Sequence, residues 1–195
     1  MGIGERWLVW RLTHGDREAC RDLIRDHHQA VYGYLRRLGA DGGLAEDLSQ
    51  ETYARAWSRI HGLRQAVSLR SWLLTIARNE FFQQVRRPRV ESTSATEGIE
   101  PEDPAPDALR ALEAREGEVR LHETVDGLEP VLRETVALHY FQDLSLKEVG
   151  VVMGVPAGTV KSRLNRALGV LRGVLEDEEK SHEGTRACQA SADSL

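Results

Sequence analysis

Residues 143–168 read DLSLKEVGVVMGVPAGTVKSRLNRAL, and this stretch decides the fold. Leu146, Val149, Val152 and Met153 recur at helical spacing until Gly154-Val155-Pro156 interrupts the chain. Pro156 and Ala157 suit a new helix start, because proline has no amide hydrogen to lose there and its φ is already helical. The helix that follows carries Val160, Leu164, Ala167, Leu168 and Leu171 inward, leaving Lys161, Ser162, Arg163 and Arg166 outward. A short helix, a glycine-containing turn and a basic helix with its N-terminal end presented make a helix-turn-helix. Just upstream, Val131, Leu132, Thr135, Val136, Leu138 and His139 give one more helix, so 118–176 is expected to be a small helical domain.

The other half is helical as well. From 16 to 38 the positions Cys20, Leu23, Ile24, His27, Val31, Tyr34, Leu35 and Leu38 recur at three and four, and Gly39 stops the run. A second helix over 44–60 turns Tyr53, Ala56, Trp57 and Ile60 to one side and Asp47, Gln50, Glu51, Ala54 and Ser58 to the other. A third over 69–87 puts Leu69, Trp72, Leu73, Ile76 and Ala77 inward before Pro88 ends it. Thr75, Arg78, Asn79, Phe82 and Arg86 share a separate stripe of that helix, in which an aromatic ring sits among cations. No strand alternation occurs, so the fold class is all-α: two small helical domains, 16–87 and 118–176. Between them, 88–117 is proline-rich and poor in large apolar residues, as a flexible acidic linker is, with a short helix over 108–118. A polar tail, 177–195, follows.

The 195-residue chain is 41% apolar and 29% charged, an ordinary globular composition. No apolar run reaches the roughly 18 residues of a membrane span, and 1–13 lacks the order of a signal peptide, so a cytoplasmic protein with no membrane insertion is expected. Two cysteines far apart exclude a disulfide scaffold and a four-thiolate zinc site. Cys20 and His27 lie on an apolar stripe, which reads as packed core rather than a metal site, and no cofactor is implied. Nor does any nucleophile triad, phosphate loop or carboxylate pair stand in a catalytic context, so the chain is read as no enzyme. The net charge of −5 conceals segregation. Arg70, Arg78, Arg86, Arg87 and Arg89 face only Glu80 over 68–89, and 156–172 holds Lys161, Arg163, Arg166 and Arg172 with no acid. Eleven acids against three arginines fill 91–126 between them. Each basic surface can therefore neutralise phosphates locally.

The 143–168 stretch, and Gly158-Thr-Val-Lys-Ser-Arg-Leu164 above all, resembles the region-four helix-turn-helix of bacterial sigma factors of the extracytoplasmic-function (ECF) group. Leu128-Glu-Pro-Val-Leu-Arg-Glu134 is similar to the opening of that domain. Ala45-Glu-Asp-Leu-Ser-Gln-Glu-Thr-Tyr-Ala-Arg-Ala-Trp57 resembles the region-two helix that grips core RNA polymerase, and Trp72-Leu-Leu-Thr-Ile-Ala-Arg-Asn79 the promoter-melting helix. These four motifs are collinear, with only a linker between them. Two departures stand out: Phe81-Phe-Gln-Gln-Val-Arg-Arg87 replaces a more acidic ending, and Gly150 stands where alanine is usual.

The resemblance implies a sigma factor with three sets of contact residues. Asp47, Leu48, Gln50 and Glu51 would dock on the clamp of the polymerase's largest subunit, with a further contact to its flap region. Arg64 and Gln65, in the loop after the second helix, would meet an unstacked base, and Thr75, Arg78, Asn79, Phe82 and Arg86 would melt and read the −10 element. Gly158, Thr159, Lys161, Ser162, Arg163 and Arg166 would hold the −35 element. Promoter DNA, core polymerase and an anti-sigma factor, possibly membrane-bound, are the implied partners. Two rivals share the residue pattern: a ligand-sensing helix-turn-helix regulator, and a helical-bundle enzyme with an appended DNA-binding domain. The first needs a dimerisation helix and the second a buried polar constellation, and neither is visible.

Overall fold

A computed structural model describes residues 3–63, 68–86 and 124–192. Among them there is no strand. The N-terminal half holds α1 (Ile3–Thr13), α2 (Arg17–Arg37), α3 (Gly42–Arg59), a 3-10 turn at Ile60–Gly62 and α4 (Leu69–Arg86). The sequence reading had no α1. Its Leu12 is buried, with Leu8 and Val9 against the core, and Arg11 joins it to α2 through Asp16 (2.7 Å) and Asp22 (3.0 Å). Asp16 also caps α2, its carboxylate accepting from the Glu18 and Ala19 amides, and Asp41 caps α3 through Leu44. Gly39, at φ +104°, lets the chain leave α2 in a conformation other residues resist. Alanines 45, 56 and 77 are fully buried, so α2, α3 and α4 approach closely around Tyr34, Leu35, Leu73 and Leu74. Ile24 and Trp57, which share helix sides with apolar residues, are exposed, and so is Leu168, expected inward: each lies at the edge of its helix's apolar arc.

The C-terminal half holds α5 (Pro130–Val136), a π-helical turn (Ala137–Phe141), α6 (Leu146–Met153) and α7 (Ala157–Ala192). Ser145 and Glu148 form a reciprocal capping box on α6, and Gly154 at φ +68° turns the chain toward α7. Gly150 is explained by this turn. A β-carbon there would lie 2.6 Å from the Val155 carbonyl oxygen, which folds back over α6. Helix α7 runs on to Ala192, past the 176 boundary read from sequence. The run Glu176-Asp-Glu-Glu-Lys180 contains no proline or glycine, so local propensity carries the helix beyond its apolar face.

The halves, read as modules on a tether, pack together. Helix α4 lies against α6, and α2 against the π turn, within one hydrophobic core that takes residues from both halves. The expected linker and its short helix, with Arg87, Arg64 and Gln65, fall outside the described residues.

Candidate nucleic-acid and polymerase interfaces

Helix α4 carries two faces. Its apolar side is locked into the core by Leu69, Leu73, Leu74, Ile76 and Ala77. Arg78, Asn79, Phe82 and Arg86 from the expected stripe, joined by Gln83, line one open depression of about 490 Å³. The Arg78 guanidinium sits 4.7 Å from the Phe82 ring centroid, a cation held over an aromatic face. Phe82 is half-buried beside Phe81, while Asn79 and Arg86 are exposed. Thr75 is less available, since its hydroxyl donates to the Ser71 carbonyl at 2.8 Å.

The stripe is shared with the C-terminal half. Glu134 of α5, its side chain only 4% exposed, accepts from Arg78 Nε at 2.6 Å and from the buried Tyr34 hydroxyl at 2.7 Å. Burial and then the Glu134 charge push the Tyr34 hydroxyl well above its usual range, so it remains a donor. Burial alone would lower the Arg78 pKa, but Glu134 outweighs it and raises the value. Three further contacts line the seam. Arg70 Nη2 donates to Gln142 Oε1 at 3.1 Å, Ser68 Oγ to Glu148 Oε1 at 2.6 Å, and the Arg37 guanidinium lies 4.0 Å over Phe141. Sequence reasoning missed this seam. Its one signal was a tyrosine on an apolar stripe, which needs a partner for its hydroxyl once buried.

On α3, Asp47, Gln50 and Glu51 face solvent as expected, but Leu48 does not. At 7% exposure it packs with the core, one turn from the buried Thr52. Asp47, Leu48 and Glu51 border a depression of about 320 Å³ that also takes in Leu44, Arg55, Glu80, Gln83 and Gln84. Arg55 bridges Glu51 (2.7 Å) and the buried Glu80 of α4 (2.9 Å), so Glu51 is already held in place.

At the start of α7, Lys161, Ser162 and Arg166 are exposed and Arg163 half-buried; Gly158 is exposed and Thr159 half-buried. Ser162 Oγ returns to the Thr159 carbonyl at 2.9 Å. The helix was read as having no acidic partner, whereas Arg166 lies 3.5 Å from Glu129, which approaches from outside the stretch used for that reading. Both groups are exposed, so this pair is weak and easily exchanged.

Sigma-70 region 2 matches residues 23–90 of the chain and Sigma-70, region 4 matches 118–171. The ECF RNA polymerase sigma factor SigL of Mycobacterium tuberculosis is 31% identical over 80% of this chain and 89% of its own length. SigE of Mycolicibacterium smegmatis is 34% identical over 79% of this chain, which spans 60% of that relative. The RpoE sigma factor of Bartonella quintana, solved with the anti-sigma factor NepR, superposes with a TM-score of 0.61 at 25% identity, covering 80% of this chain and 96% of that one. The chain belongs to the ECF group of the sigma-70 family. It is a non-enzymatic factor that binds core RNA polymerase and directs promoter-specific transcription initiation.

Proposed function

We propose that Arg78, Asn79, Phe82 and Arg86, with Thr75 at the stripe's inner end, read and melt the −10 element. The observation that carries this reading is their grouping around one open depression with a guanidinium over an aromatic ring. Unstacked bases find a ring there and phosphates find cations. Arg64 and Gln65, in the chain segment leading to α4, meet a flipped base. Gly158, Thr159, Lys161, Ser162, Arg163 and Arg166 hold the −35 element. Arginine suits bidentate pairing with guanine, lysine suits phosphate, and the α7 N-terminus suits another phosphate. Asp47, Gln50 and Glu51 dock on the polymerase clamp, with Leu48 supporting them from below, and the C-terminal domain rests on the flap. The domain limits are 16–87 and 118–176, and the factor works in the cytoplasm, where its template is.

The packed arrangement is the resting one. Glu134 of the C-terminal half already holds Arg78 Nε, so a promoter phosphate that takes over that group parts the halves. An anti-sigma factor, of the kind bound by the Bartonella relative, holds the chain away from polymerase.

Run-off transcription with core polymerase on a template pool with randomised promoters tests the reading. Wild-type protein should select a promoter set. Arg78→Ala and Phe82→Ala should lose product on duplex templates and regain much of it on templates mismatched across the −10 region. Absence of any selected promoter would overturn the assignment.

A further inference from the structure

Helix α4 buries a carboxylate where it faces α3. Glu80 lies in the core with Ala77 and Phe81 of its own helix. An ionised carboxylate is held at such depth only when a cation or strong donors meet it. Arg55 of α3 does so, its Nη1 lying 2.9 Å from Glu80 Oε1. The same guanidinium donates from Nε to Glu51 Oε1 at 2.7 Å on the solvent side. Three charges therefore alternate from core to surface, with side chains 7% exposed at Glu80, 30% at Arg55 and 50% at Glu51. The outermost, Glu51, shares its depression with Asp47, and α4 closes the other side with Gln83 and Gln84.

Packing does not require this arrangement. Buried alanines already bring α3 and α4 together, and an apolar pair would join two helices at a lower desolvation cost than an ion pair. The charges have a use at the surface instead. Arg55 is a permanent cation, and with Glu51 as its sole carboxylate it would cancel the charge that Glu51 offers a partner. Glu80 alters that balance. Two carboxylates then stand against one guanidinium, so the trio keeps one negative charge, and its outer member is the one a partner can reach. The Glu51–Arg55 pair lies one helical turn apart on an exposed surface, so it is weak and exchanges readily. When a partner cation draws Glu51 outward, Arg55 still has Glu80 and is not stranded.

We propose that Glu80 is a positioning residue for polymerase docking: by neutralising Arg55 from the core side, it leaves Glu51 free to pair with a cationic group of the clamp. This rests on the docking reading of Asp47, Gln50 and Glu51 above. Glu80 touches no partner itself. It acts through Arg55, and it comes from the promoter-facing helix, not from the docking helix. Its neighbour Gln83, one turn on, borders both the docking depression and the open one around Phe82.

The experiment is competition for core RNA polymerase between labelled wild-type protein and each full-length variant, at several salt concentrations, with circular-dichroism melting as the control for folding. Glu80→Gln leaves Arg55 to Glu51 alone and should weaken core binding about tenfold, the scale of one added positive charge near the contact. Arg55→Gln releases Glu51 and should do the opposite, tightening binding about threefold or more and steepening its salt dependence. The double variant Arg55→Gln/Glu80→Gln restores the single net negative charge and should regain most of what Glu80→Gln loses. A pair that merely braced the helices would give losses in all three variants, with the double no better than Glu80→Gln. That pattern, or unchanged binding by a folded Glu80→Gln protein, would overturn the proposal. If Glu80→Gln does not fold, the sign of the Arg55→Gln effect decides: tighter binding supports the proposal, and equal or weaker binding overturns it. Normal binding by a folded protein carrying Asp47→Lys and Glu51→Lys would instead sink the docking reading, and this inference with it.

Discussion

Replacing Glu134 with glutamine keeps the side-chain volume and removes one charge from the seam. Arg78 then loses its carboxylate, and the Tyr34 hydroxyl donates to a neutral amide. Breaking a fully buried ion pair costs about 3–5 kcal/mol. The Arg78 side chain is 25% exposed, so part of its charge can be rehydrated, and about 1–2 kcal/mol is the appropriate share. Exchanging a charged acceptor for a neutral one at Tyr34 adds about 1 kcal/mol. The closed form should therefore weaken by about 2–3 kcal/mol, a 30- to 150-fold rise in the parted population. The assay is energy transfer between dyes on Arg21→Cys and Lys147→Cys, in a chain whose Cys20 and Cys188 are replaced by serine. Hydrogen exchange at α4 and α5 gives a label-free parallel. Tyr34→Phe should move both readouts the same way by a smaller amount, and the double mutant should be less than additive because the two donors share one carboxylate. A folded Glu134→Gln protein with unchanged transfer efficiency and unchanged exchange would refute the argument, since the carboxylate would then not hold the halves together.

Reversing Asp47 and Glu51 to lysine and replacing Gln50 with alanine should weaken core-polymerase pull-down while leaving the circular-dichroism spectrum intact; normal binding removes the docking assignment. Arg163→Ala or Arg166→Ala should cost about 1–3 kcal/mol at a cognate −35 site if the residue reads a base. Lys161→Ala should instead weaken all sequences and reduce the salt slope by about one, as competition binding will show. Gly150→Ala drives a methyl group against the Val155 carbonyl and should destabilise the helix-turn-helix by about 1–3 kcal/mol in urea unfolding. Burial and then Arg70 hold His27 below its usual pKa, so the unfolded ring binds protons more readily than the native one. Stability is therefore full above about pH 6.5 and declines as pH falls below it, and His27→Gln should flatten that slope.

The helix-turn-helix was legible because glycine and proline punctuate it and its apolar positions keep a strict helical period. The α4 stripe was legible because Phe82 sits among cations and not among leucines. Helix α1 was not, because Trp7 and Trp10 oppose Leu8 and Leu12, and apolar residues around the whole circumference erase the contrast that marks an amphipathic helix. The periodicity of α3 says which side is polar but not how deep its margins lie, so it could not tell that Leu48 is largely buried and Trp57 exposed. The seam was invisible for another reason. Tyr34 and Glu134 lie one hundred positions apart, and a lone glutamate in a helix reads as a solvated acid until another element covers it.

Arg78 connects the resting and working forms. In the packed arrangement its guanidinium faces Glu134, and on the proposed reading the same group faces a promoter phosphate after the halves part. The exchange is carboxylate for phosphate, two oxyanions that arginine binds with similar fork geometry. Parting therefore does not strand a half-buried cation, because the incoming strand supplies the charge that Glu134 withdraws. Tyr34 has no such substitute. Its hydroxyl lies beneath the stripe, fully buried in the closed form, and must find water when α5 leaves. The tyrosine and the apolar seam around it thus add to the barrier to opening, and the ion pair also sets which ligand the opened surface accepts. Tyr34→Phe should accordingly speed the approach to open complex with little effect on its final lifetime. Arg78→Ala should shorten that lifetime whatever the rate of opening. Stopped-flow transfer between the same dye pair, run beside heparin-challenged transcription, separates the two effects. A tyrosine substitution that shortens lifetime as much as the arginine one would show that both side chains belong to the DNA-binding surface and that the division of labour is wrong.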